Sequence, residues 1–83
     1  MNLKELQEKL IILGVKEYWY SLKGGLPSES FCISKKTLWW EIYYSERGQK
    51  SNLKKFIFEK EACMFLYNLI ISSNVIMNDL NKP

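Results

Sequence analysis

The sequence predicts an α+β domain, a two-layer sandwich in which a four-stranded antiparallel meander carries two helices on one face, in the order α-β-β-β-β-α. Three features point there. Apolar residues recur at three- and four-residue spacing near both ends of the chain, aromatic runs of period two lie between them, and turn-forming residues separate those runs.

The first helix follows from Asn2 and Glu5, which have capping-box spacing, and from Leu3, Leu6, Leu10 and Leu13, which share one stripe. Gly14 suits a left-handed C-cap, and Val15 folds back onto the helix end. From Glu17 the period becomes two, with Tyr18, Tyr20 and Leu22 on one side and Trp19 and Ser21 on the other, which predicts a strand. Gly24, Gly25 and Pro27 then predict a turn that closes a hairpin onto Ser30 to Lys35. A second turn at Lys35-Lys36 leads into Thr37 to Ser45, the strongest strand signal and the expected central strand. Leu38, Trp40, Ile42 and Tyr44 make its core side, leaving Trp39, Glu41 and Tyr43 on the outer one, with Trp19 joining them from the first strand. A turn at Glu46 to Gln49 and a fourth strand over Leu53 to Phe58 complete the meander. The second helix opens at Glu59-Lys60-Glu61, buries Ala62, Phe65, Leu66, Leu69 and Ile70, and continues through Ser73, Ile76, Met77 and Leu80 with a polar, fraying tail.

A chain of 83 residues supports one domain, 1–83, because a second core needs roughly 50 residues more. Apolar residues are 47% and charged residues 25% of the chain, so it has enough apolar surface to fold without a partner. Its small size leaves a narrow stability margin, which dimerisation would widen. The opening residues are charged and lack an apolar signal stretch, and no apolar run is long enough to span a bilayer, so a cytoplasmic protein without a membrane role is expected. Cys32 and Cys63 each sit within an apolar pattern and read as packing residues.

The sequence contains no histidine, which removes Ser-His-Asp and Cys-His designs and histidine-based zinc sites. The cysteines lack metal-site spacing and the glycines form no phosphate-cradling pattern, so neither a metal nor another cofactor is implied. Binding, without catalysis, is the expectation. The formal net charge is +3, with the excess concentrated between Lys35 and Lys60, a distribution that also suits solvated strand edges. Aromatic residues are 14% of the chain, and adjacent pairs such as Trp39-Trp40 and Tyr43-Tyr44 must send one ring of each pair outward. Arg47 is the only arginine; in its turn beside Glu46 it reads either as a binding hot spot for an anionic group or as half of a local ion pair. Trp19, Trp39, Glu41, Tyr43, Glu46 and Arg47 are therefore the candidate partner-binding residues.

The run Trp40-Glu41-Ile42-Tyr43-Tyr44-Ser45-Glu46-Arg47-Gly48, then Leu53, Phe56 or Phe58, then Glu59-Lys60-Glu61-Ala62-Cys63, resembles small bacterial immunity proteins of polymorphic toxin and contact-dependent growth inhibition systems. Leu13-Gly14-Val15 followed by the tyrosine-rich segment to Tyr20 is similar to the N-terminal phrase of that family, and the likeness extends to about Ile70. It implies a protein that binds a cognate toxin domain and occludes its active site or its access to substrate. One departure is charge, since immunity proteins against basic nucleases are commonly acidic and this chain is not. A double-stranded RNA-binding module is a competing expectation from element order, with Lys54, Lys55 and Lys60 as phosphate contacts, although Glu59 and Glu61 disfavour nucleic acid there. A homodimeric adaptor joined through the aromatic face is a third.

Overall fold

Asn2 opens the first helix as the cap pattern predicts: its side-chain oxygen accepts the Glu5 N–H at 2.9 Å, and its own N–H donates to Glu5 Oε1 at 3.3 Å. Gly14 closes it at φ 89°, with Gly14 N–H donating to Ile11 O and Val15 N–H to Leu10 O, both at 3.0 Å, a Schellman closure that buries Val15. The computed structural model describes residues 1–80 of the chain. Along it run α1 (Leu3–Leu13), a 3-10 turn (Glu17–Trp19), β1 (Tyr20–Ser21), β2 (Ser30–Lys35), β3 (Trp40–Glu46), β4 (Gln49–Phe56), α2 (Glu59–Ile71) and α3 (Asn74–Leu80).

Among the described residues the fold is α+β, with one four-stranded sheet in the order β1-β2-β3-β4 and three α-helices. It departs from the expected meander at its first strand. Glu17 to Leu22 does not make a hairpin arm: β1 is two residues long and pairs parallel to β2, Tyr20 beside Phe31 and Ser21 beside Cys32, so the sheet is mixed. The intervening loop makes this possible, because Gly24 at φ 70° and Gly25 at φ 82° turn it over the sheet and bring it back in its original direction. The connection, residues 22–29, is shorter than the helical crossover that longer parallel strands take.

The central strand behaves as its alternation requires. Trp40, Ile42 and Tyr44 point toward α2, while Glu41, Tyr43 and Ser45 point away. Thr37 and Leu38 fall outside β3 in the preceding turn, which Lys36 N–H closes onto Trp39 O at 2.8 Å, so Leu38 is 76% exposed rather than in the core. β4 begins at Gln49, earlier than expected. A bulge between the Ile42 and Tyr44 pairings, with Asn52 at φ 54°, shifts its phase partway along, and the strand ends at Phe56 rather than Phe58, because Phe58 is taken up as the N-cap of α2.

α2 packs against β2, β3 and β4, and α1 and α3 each pack against α2. Leu6 and Leu10 of α1, Ile33, Ile42, Leu66, Ile70 and Ile76 form one continuous buried cluster. Truncating any of these to alanine removes about 2–5 kcal/mol, a large share of what a domain this size has. Glu59 ties the two ends together, its Oε2 accepting the otherwise unpaired Leu3 N–H at 2.9 Å. The expected tail of the second helix is instead a separate helix: Ser72 donates its hydroxyl to Asn68 O at 2.7 Å and ends α2, and Ser73 Oγ accepts the Ile76 N–H inside the first turn of α3.

The sheet face away from α2 is not left open. Residues 22–29 fold across it, so Cys32, Tyr43 and Ser45 are fully buried there. Tyr43 donates its hydroxyl to Gly25 O at 2.7 Å, and Ser21 donates to Gly24 O at 2.8 Å. Burial pushes the Tyr43 phenol up to about 12 and the Cys32 thiol up to about 11. A Cβ on Gly24 meets Ser34 Oγ at 2.7 Å on a backbone that already disfavours side chains. Gly24→Ala is therefore expected to cost about 1–3 kcal/mol in urea denaturation and to raise the alkylation rate of Cys32 relative to Cys63.

Candidate functional site

Trp39, Glu41 and Tyr43 lie together on the sheet face away from α2, Glu46 and Arg47 sit at the tip of the β3–β4 hairpin, and Trp19 is elsewhere, beside α3. Trp39 is half-buried. Its indole N–H donates to Glu41 Oε2 at 3.0 Å, and the Lys55 ammonium stands 4.8 Å from its ring centroid. Cross-strand pairing of Lys55 with Glu41 puts that lysine on the same face.

Glu41 is only 7% exposed and is held below the usual carboxylate range, first by the Trp39 indole and then by the Lys50 and Lys36 ammonium groups, against the opposing effect of burial. Lys50 Nζ lies 3.5 Å from Glu41 Oε1 and 4.6 Å from the Tyr43 ring centroid. Tyr43 is 1% exposed. Glu41 and Tyr43 thus lie on the expected face but are covered, and they brace Trp39 and Lys50 instead of presenting themselves. Glu41 shows the sequence signal for this arrangement only in hindsight, because Lys50 reaches it across the hairpin.

At the tip, Arg47 at φ 52° and Gly48 at φ 75° make a two-residue turn of type I′, closed by the Glu46–Gln49 pair. Asn, Asp or Gly suits the first of these positions; arginine there carries roughly 1 kcal/mol of backbone strain. Among the described residues no ion pair joins Arg47 to Glu46, and both are exposed. With Lys50 paired to buried Glu41 and Lys54 turned to the other face of the sheet, exposed Arg47 and Lys55 outweigh the exposed Glu46 along this hairpin. The surface is basic.

Trp19 was expected on the outer sheet face and is not there. Its indole N–H donates to Asp79 Oδ2 at 2.9 Å, the Tyr18 hydroxyl donates to the same oxygen at 3.1 Å, and Lys16 Nζ lies 3.5 Å away. The ring packs against the helical core. Asp79 joins three side chains some sixty residues distant, a convergence that no local pattern in the sequence reveals. The lysines proposed for RNA are divided as well: Lys54 pairs with Ile42 and Lys55 with Glu41, so they occupy opposite faces of the sheet.

Both thiols are buried and pushed up to about 11, so neither is an available thiolate at neutral pH. Among the described residues no group of three metal-ligating side chains occurs, and no helix is long and apolar enough to cross a membrane. Comparison of the chain with protein-family models, with curated proteins and with solved structures gave no match.

Asp79 is held below the usual carboxylate range, chiefly by the Trp19 hydrogen bond and further by Tyr18 and Lys16. Such a group stabilises the fold above the unfolded carboxylate value of about 3.9 and loses that contribution as the pH falls through its lower folded value. Asp79→Asn is expected to be less stable than the parent at pH 7, with the gap narrowing below about pH 4 in urea melts followed by tryptophan emission.

Proposed function

We propose that this chain is an immunity protein, binding a cognate toxin domain through the β3–β4 hairpin and neutralising it by occlusion. Arg47 carries the reading. An exposed arginine occupies a turn position where Asn or Gly is less strained, and strain kept at an exposed tip is accounted for by contact with a partner. Lys50 lies next to the tip, while Lys55 and the half-buried Trp39, whose rotamer is fixed by Glu41, stand at the other end of the strand pair, roughly 25 Å away along β3. A pre-oriented indole at one end of the strand and a fork of charge-assisted donors at the other suit two anchors of one extended interface.

Helices gathered on the Ile42 side, with the hairpin projecting beyond them, supply a rigid platform for such contact. The basic character of the hairpin selects the partner, a toxin domain with carboxylates around its active site or along its substrate channel. Inhibition of this kind needs no reactive group in the inhibitor. The sequence pattern from Trp40 to Cys63 supports the same class.

If a neighbouring gene encodes a toxin domain, its co-expression with this chain is expected to restore growth, and the two proteins are expected to co-purify. Trp39→Ala and Arg47→Asn should each weaken binding at least tenfold, about 1.4 kcal/mol or more. Arg47→Asn should at the same time leave thermal stability unchanged or raise it by up to about 1 kcal/mol, because asparagine tolerates the left-handed backbone. Full affinity in both variants removes the hairpin surface from the account, and failure of the parent chain to bind removes the function.

A further inference from the structure

A groove between α2 and β4 opens on the side of the sheet opposite Trp39, reaching Tyr43 only at the edge of its smaller hollow. β4 turns Phe56 and Lys54 toward the side on which α2 lies, yet α2 sits mainly over β2 and β3, and every residue of β4 before Phe56 is exposed. Two adjoining hollows result, of about 460 and 230 Å³, which share Phe65. The larger is lined by Met1, Phe56, Met64 and Phe65, and the smaller by Phe31, Tyr44 and Leu69 among others. Phe56 and Phe65 are in ring contact at 5.1 Å, and Met64 is 46% exposed despite its apolar setting. Unbranched methionine beside stacked rings makes a surface that adapts to an incoming side chain.

Its charged walls decide the occupant. Lys60 stands at the larger hollow and Lys54 at the smaller, against the single carboxylate of Glu61. A second copy docked here about a two-fold axis presents the same patch, in which Lys54 and Lys60 outnumber Glu61, so a like excess of charge faces itself and self-association is disfavoured. We propose that the groove receives a short protein segment with two or three apolar anchors flanked by carboxylates. Phe56, Phe65 and Met64 take the anchors, and Lys54 and Lys60 take the flanking charges.

The probe is a synthetic peptide with two leucines and a phenylalanine between glutamates, compared with the same peptide carrying lysines in their place. Titration followed by amide NMR is expected to shift Phe56, Met64, Phe65 and Leu69, with the lysine version at least tenfold weaker. The exposed-site variants Met64→Glu and Lys54→Glu/Lys60→Glu are checked for folding by their spectra. The first should abolish the shifts, and the second should reverse the preference between peptides. No shift with the glutamate peptide, shifts located elsewhere, or equal binding of both peptides overturns the proposal.

Discussion

Ile42 and Tyr43 are neighbours in one strand, point to opposite sides of the sheet, and are both fully buried. A strand buried on both sides needs cover on both, and the rest of the molecule is arranged to provide it. α2 covers Ile42 and is itself flanked by α1 and α3. The loop over residues 22–29 covers Tyr43, its Gly25 carbonyl accepting the phenol that burial has removed from water. That loop takes the route it does because glycine is free at positive φ, and the route forces β1 to meet β2 in parallel.

The same constraint determines what stays exposed. With Tyr43 and Glu41 covered, the sheet face offers Trp39 and the lysines leaning on it, and the hairpin beyond offers Arg47. Buried Glu41 acts as an anchor: it fixes the Trp39 indole from one side and draws Lys50 across Tyr43 from the other. Positioning of this kind lowers the entropy lost when a partner docks.

Local signals in the sequence were legible. The Asn2 cap, the Gly14 stop, the parity of Trp40, Ile42 and Tyr44, and the turn at Arg47-Gly48 each depend on residues within a few positions of one another. What was not legible depends on distant partners. Tyr18, Trp19 and Tyr20 alternate as a strand does, but Asp79 holds the first two and the segment winds into a 3-10 turn. Leu38 continues the β3 alternation in sequence and falls in a turn in space, because Lys36 and Trp39 close on each other first. Among the candidate contact residues, Trp39, Glu46 and Arg47 reach the surface region assigned to them, whereas Trp19 is drawn to α3 and Glu41 and Tyr43 lie beneath neighbours. Alternation shows which side a residue faces. It does not show what folds over that side.

Amide hydrogen exchange of the chain alone and mixed with the proposed toxin partner tests the central claim most directly. The account predicts slowed exchange confined mainly to residues 39–41 and 46–50, with α1 and α3 unchanged. Slowing concentrated on α1 and α3, with the hairpin exchanging as it does in the free protein, contradicts it.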